Sequence, residues 1–355
     1  MSAVTSISSR REEAVAVQPI SEHTRPVTLS DVARAAGVSV SSVSRILAGK
    51  ARVSRQTEAR VLHHAEALGY RPNLHAQGLA RGSSGVIGVL SQHRASSFYG
   101  SILEGVEIAL METPYHPIFA SGHWNLAHEK SALDLLLRYR VDGIIVLGGL
   151  LDDEQLAAID EHTPLLVVGR SFGDPERRLE MDNVDAAERL TRYLIDLGHR
   201  QIAHIAGPSF APEPGARRAG SERALRAAGI EPAPALVVEG DFLFESGSLG
   251  VDELLARGVE FTALFAGNDW MAYGARSALD RHGLRVPEDV SLVGFDDDPV
   301  AEWQTPPLTT MRQPTAEVGS AAAAAILRVL AGEDPALPAF EPELIVRGSA
   351  GPPKT

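Results

Sequence analysis

The 355-residue chain contains no cysteine, which excludes a disulfide framework and any thiolate metal site. It also lacks a long apolar run. The longest, VDGIIVLGGLL at 141–151, is far short of the ~20 residues that a membrane-spanning helix needs. Residues 1–25 hold Arg10, Arg11, Glu12 and Glu13 but no apolar core, so they do not read as an export signal. A cytoplasmic protein with no membrane partner is the expectation. What the chain does have is enough apolar material, 44%, to build a sizeable core, and a length that suggests two or three domains.

The net charge of −13 is unevenly spread. Between residues 28 and 84 eight Lys and Arg face only Asp31, Glu58 and Glu66, a local balance of +5. The first 27 residues are neutral, so the remainder carries −18. A small basic module joined to a large acidic one suits a polyanion-binding head, although an ordinary solvated helical surface would look similar.

That basic stretch is dense in helix signals. In VTLSDVARAAGVS, Thr28 can cap a helix with Asp31 completing a capping box. Leu29, Val32, Ala33 and Ala36 share one face, and Gly37 ends the helix. With Val38 as plug, Ser39 can cap a second helix, Val40 to Leu47, with Val43 and Leu47 inward. A third follows the Ser54 cap, burying Val61, Leu62, Ala65 and Leu68 and ending at Gly69. Two short helices across so tight a turn form a helix-turn-helix, whose second helix can enter a major groove ~12 Å wide. A plain three-helix bundle is the alternative.

The segment TLSDVARAAGVSVSSVSRILAGKARVSRQTEARVLHHAEALGYRPN resembles the DNA-binding head of the lactose/galactose repressor family, and the likeness runs on to about residue 348. It implies an all-α helix-turn-helix head with a hinge helix, followed by a two-lobed α/β domain like the periplasmic binding proteins, built on two Rossmann-like parallel sheets. The implied borders are a disordered tail at 1–26, a head at 27–72, a hinge helix and linker at 73–84, and an effector-binding and dimerisation domain at 85–355. Its first lobe would take 85–185 and 313–332, its second 186–312 and 333–355. The resemblance makes Val40 and Ser41 the main base readers and Arg45 a base or phosphate contact, within a DNA-facing set that also holds Thr28, Ser39, Ser42 and Ser44. It further implies that residues 73–80 fold as a hinge on operator DNA through Asn73, Ala76, Gln77 and Leu79, with Leu79 wedged into the minor groove. An eight-residue helix that contains Gly78 could not offset its nucleation cost alone.

Past residue 85, apolar strand-like runs (GVIGVLS, PIFASG, DGIIVLGG, PLLVVGR, QIAHIAG, ALVVEGD, ALFAGND, VSLVGFDD) alternate with helix-like segments. That texture implies parallel sheets covered on both faces, with ligands beyond the carboxyl ends of the strands.

No enzyme is expected. GSSGVIG precedes its strand, which is the wrong context for a nucleotide loop, and neither a Walker sequence nor a nucleophile elbow is present. Asp296-Asp297-Asp298 lacks nearby His at metal spacing, and His63-His64 sits mid-helix. Neither a metal nor a cofactor is implied. By resemblance, Phe98 in the loop after the first strand, Arg217, Phe242, Asn268 and Asp296 hold a small effector, with Trp270 as a stacking or lip residue or else a surface packer. Arg, Asn and Asp suit the hydroxyls of a sugar, and aromatic faces suit its C–H surface. The stretches GHWNLAHEKSALDLLLRYRVDGIIV and FESGSLGVDELLARGVEFTALFAGNDWMAYGA resemble the galactose-repressor branch, which makes a sugar the leading effector and galactose the leading sugar. A nucleoside or purine is the competitor. A transport-associated sugar-binding protein would need an export signal and no head. A homodimer on double-stranded, palindromic operator DNA is expected, without a tetramer coil because IVRGSAGPPKT has no Leu heptads.

Overall fold

The computed structural model describes residues 27–47, 51, 53–71, 82–92, 96–170 and 174–354. The tail and the hinge helix, with Asn73, Ala76, Gln77 and Leu79, lie outside them. The chain divides into two compact units, Met1–Ala80 and Arg81–Thr355.

In the first unit, α1 (Leu29–Ala36), α2 (Val40–Leu47) and α3 (Arg55–Ala67) enclose a small core of Val32, Ala33, Ala36, Val43, Ile46, Val61 and Ala65. The Asp31 carboxylate accepts from both the Thr28 amide (3.0 Å) and the Thr28 hydroxyl (2.6 Å), so the hydroxyl donates here. Gly37 sits at φ 64, the left-handed backbone that lets α1 stop and turn. Ser39 Oγ accepts from the Ser42 amide and Ser54 Oγ from the Thr57 amide, each at 3.2 Å. Two expectations need correction. On α2 Leu47 does pack against the core, partly buried, but Ile46, which the pattern did not single out, is buried beside Val43. On α3, Leu62 and Leu68 are 47% and 40% exposed. Leu62 is a residue round the helix from the buried Val61–Ala65 line, and Leu68 caps the helix, where Tyr70 packs against the core instead.

The second unit repeats one winding twice. β1 (Val86–Ser91), β2 (His116–Ser121), β3 (Gly143–Leu147), β4 (Leu165–Val168) and β5 (Arg178–Leu179) form a parallel sheet in the order β2-β1-β3-β4-β5. It is threaded by α4 (Ser97–Leu110), α5 (Leu126–Arg138) and α6 (Asp153–Asp160). The second lobe contains α7 (Asn183–Asp196), β6 (Ile202–Ala206), α8 (Pro212–Ala227), β7 (Val237–Glu239), α9 (Phe244–Ala256), β8 (Ala263–Ala266), α10 (Asp269–Arg281) and β9 (Ser291–Val293). Its sheet runs β7-β6-β8-β9, again all parallel. β3, β4 and β8 are buried throughout, as strands covered on both faces must be.

After β10 (Thr310–Arg312) the chain returns to the first lobe as α11 (Thr315–Leu330), which packs on α4, and β11 (Glu343–Ile345) pairs antiparallel with β10. The last crossing comes later than residue 333: Leu337 and Phe340 still pack on the first-lobe core, and Phe340 bridges Met181. Residues 83–85 are also tied to this unit rather than free as linker, because Asp142 accepts from the Ser83 hydroxyl, the Ser84 amide and the Gly85 amide at 2.7–2.8 Å. Helix pairs meet through glycine. A Cβ on Gly274 of α10 would lie 1.8 Å from the Phe244 carbonyl oxygen of α9. Among the described residues no helix is long and apolar enough to cross a membrane.

Candidate functional site

On the head, the expected DNA-facing residues lie along α2 and at its N-terminal cap, apart from Thr28, which caps α1. Ser39, Val40, Ser41, Ser44 and Arg45 are exposed, and Thr28 and Ser42 half-buried. Val40, at 44% exposure, is an apolar residue with no core to enter, available for contact with a base edge or thymine methyl. The Ser39 hydroxyl bonds those of Ser41 (2.9 Å) and Ser42 (2.8 Å), and Arg45 Nε donates to the Ser41 carbonyl at 3.2 Å. The local network thus orders the side chains that would meet DNA.

In the second unit, loops at the carboxyl ends of both sheets enclose a cavity of about 480 Å³. All six expected residues, Phe98, Arg217, Phe242, Asn268, Trp270 and Asp296, line it. Phe98 belongs to the first turn of α4 and not to a loop, because α4 starts at Ser97. Reasoning from sequence missed Tyr99, His123, Trp124, Phe210, Glu213 and Asp241, among others. Trp124 and Phe210 had a usable signal, as aromatics just past strands β2 and β6. They come from different lobes and meet with ring centroids 5.6 Å apart.

Arg217 is fixed in place. Its Nε donates to Asn183 Oδ1 at 2.9 Å, one terminal nitrogen to the Gly267 carbonyl, and its guanidinium lies 3.8 Å from the centre of the Phe295 ring. The other terminal nitrogen faces Asp296 at 3.7 Å. Burial pulls the arginine down from its ordinary value, while Asp296 and Glu213 pull it back up. Burial raises Asp296 to about 6, against the opposing pull of Arg217 and a 2.6 Å bond from Gln313. Asn268 does two structural jobs: its Oδ1 caps α10 by accepting from Met271 N at 2.9 Å, and its Nδ2 donates to the Phe242 carbonyl at 3.1 Å. One of its N–H groups is left for a ligand. Ser97 of the first lobe donates to Asp298 of the second, which also accepts from Tyr273.

Seven non-glycine residues have positive φ among the described residues, and four of them, His123, Trp124, Phe242 and Asp296, line this cavity. Such strain persists where surrounding structure over-determines it, commonly at binding sites. Asp297 is drawn away from the cavity into ion pairs with Arg312 and Arg347, both at 2.7 Å, and no group of three metal-capable side chains occurs among the described residues.

Residues 28–73 match the model for bacterial regulatory proteins of the lacI family, and residues 191–350 the model for a periplasmic binding protein-like domain. The transcriptional regulator GalS of Salmonella typhimurium is 34% identical over 91% of this chain and 96% of its own. CelR of Thermobifida fusca is 37% identical over 92% and 99%. The lac repressor dimer bound to operator and the anti-inducer ONPF superposes with a TM-score of 0.83 at 31% identity, over 92% of this chain and all of that one. A complex of CelR with cellobiose gives 0.69 at 35%, with the same coverage. The chain is a DNA-binding transcriptional regulator of the lacI family.

Proposed function

We propose that this regulator is a repressor switched by a small sugar held in the inter-lobe cavity, acting as a homodimer on a palindromic operator. The observation that carries the reading is the lining itself: Asn268, Arg217 and Asp296 offer polar atoms beside Phe98, Phe242 and Trp124, the mixture that suits a polyhydroxylated ring. The CelR–cellobiose and lac repressor–operator complexes support it by likeness. The dimer fits the exposed apolar residues Leu249, Val300 and Trp303 of the second lobe, which a solitary chain would leave in water. Sugar binding favours one arrangement of the lobes, and DNA affinity changes by no more than the sugar's differential affinity for the two arrangements. Leu79 wedges the operator centre open when the hinge folds, and without it phosphate contacts dominate.

Thermal shifts of the full chain with galactose, glucose, cellobiose, adenosine and hypoxanthine test the ligand class. A sugar should raise the transition. Stabilisation by adenosine or hypoxanthine alone overturns the reading. Operator titrations separate the parts. Leu79→Ala should weaken specific binding far more than non-specific binding, whereas Asp296→Ala should keep operator affinity and lose the sugar response.

A further inference from the structure

The cleft between the lobes is closed by different means on its different sides. At the back the chain itself crosses: β5 leads into the crossing at residues 181–183, and β10 into the return at Gln313. Beside α10, Ser97 of the first lobe donates to Asp298 of the second, which also accepts from the Tyr273 hydroxyl at 3.2 Å. The front has neither kind of tie. β2 is the edge strand of the first sheet at the end opposite β5, and Trp124 follows it there. Across the cleft Phe210 follows β6, and the two rings meet with centroids 5.6 Å apart and planes tilted by 52°. Both side chains line the cavity, so two rings from opposite lobes span its edge.

The partners are built unequally. Trp124 is a fixed wall. Its amide donates to Gln92 Oε1 and that of His123 to the Gln92 carbonyl, both at 3.0 Å, and Gln92 is fully buried. His123 and Trp124 have φ 54 and 51, and the indole packs on the first-lobe core. A non-glycine residue keeps such a backbone only where its surroundings impose it. Phe210 combines an anchored backbone with an exposed ring. The Ser209 amide donates to Glu239 Oε1 at 2.8 Å and the Ala211 amide to the Pro208 carbonyl at 3.1 Å, yet Phe210 is 56% exposed and lies outside the apolar cores.

An exposed side chain changes rotamer in picoseconds to nanoseconds, far faster than lobes move. The Phe210 ring can therefore leave Trp124 while the Ser97–Asp298 bond and the crossings stay closed. We propose that Phe210 is a gate on this cavity: closed on Trp124 it bars the front edge, and effector enters and leaves only while the ring is swung out. The inference rests on the reading of the cavity as the effector site, whichever ligand class fills it. An aromatic pair of this geometry favours the closed state about twofold to tenfold. Entry and exit are slowed by that same factor, and affinity is left unchanged.

Two measurements test it. In a Trp270→Phe/Trp303→Phe background Trp124 is the remaining indole. Adding Phe210→Ala should make it more readily quenched by acrylamide; unchanged quenching means that the rings do not meet and overturns the proposal. Stopped-flow mixing of full-length parent, Phe210→Ala and Phe210→Tyr with galactose, glucose, cellobiose, adenosine and hypoxanthine, followed by tryptophan fluorescence, then gives the exchange rates. Phe210→Ala should raise association and dissociation alike, about twofold to tenfold, at unchanged affinity. Phe210→Tyr keeps the ring and should match the parent. Unchanged rates in Phe210→Ala overturn the gate and leave the effector site standing. Faster dissociation alone, with weaker binding, makes Phe210 a ligand contact and overturns it too. Gating of adenosine or hypoxanthine with no sugar bound keeps the gate and ends the sugar reading. If none of the five binds the parent, the effector site and its gate fall together.

Discussion

Replacing Arg217 by Met removes a buried cation while keeping an unbranched stem to pack on Phe295. The change strips donors from Asn183 Oδ1 and the Gly267 carbonyl and leaves Asp296 with Gln313. Breaking one side of a buried pair costs about 3–5 kcal/mol. The separation of 3.7 Å gives a similar scale, ~4 kcal/mol at an effective dielectric of about 20. Asp296 supplies an internal check. Its folded-state value of about 6 is above the ordinary 3.8, so at pH 5 it is largely neutral and the Coulombic part of the pair has gone. Urea unfolding of parent and Arg217→Met, followed by tryptophan fluorescence, should show a loss of about 3–5 kcal/mol at pH 7.5 and a clearly smaller one at pH 5. A loss below about 1 kcal/mol at pH 7.5, or one independent of pH, would refute the assignment of Arg217 and Asp296 as a coupled pair.

Effector affinity should also follow Asp296. A sugar that donates to its carboxylate binds the ionised form, so titrations should show a plateau above pH 6 and falling affinity below it; affinity that rises on acidification contradicts this. His204 is stacked on Phe265 with its ring centroid 4.5 Å away, and burial lowers it to about 3. Because its folded value lies below the unfolded 6.5, stability is lost as pH falls through that window, about 2 kcal/mol by pH 5. His204→Leu should remove that part of the acid sensitivity, and an unchanged stability-versus-pH curve would count against it. Gly274→Ala puts a methyl 1.8 Å from the Phe244 carbonyl oxygen, a backbone atom that cannot swing aside. A loss of about 1–3 kcal/mol is expected by denaturation, and an unshifted midpoint would show that α9 and α10 can separate freely.

Local chemistry along the chain determined the head: Asp31 beside Thr28, Gly37 at the turn and the Ser54 cap each act within four residues, so their consequences could be read from spacing. The apolar runs likewise announced two parallel sheets, and the resemblance to the repressor family named six residues, from Phe98 to Asp296, that the fold brings to one cavity. Tertiary structure decided the rest. Whether Leu62 or Val61 enters the core depends on how α1 and α2 approach α3, which no periodicity within α3 reveals. Trp124 meets Phe210, and Ser97 meets Asp298, only because two lobes face each other across a cleft. Glu213 looks in sequence like any acid in a first helical turn. Burial between the lobes is what deprives its Oε2 of water and of partners, and burial is a property of the assembled walls rather than of any one segment.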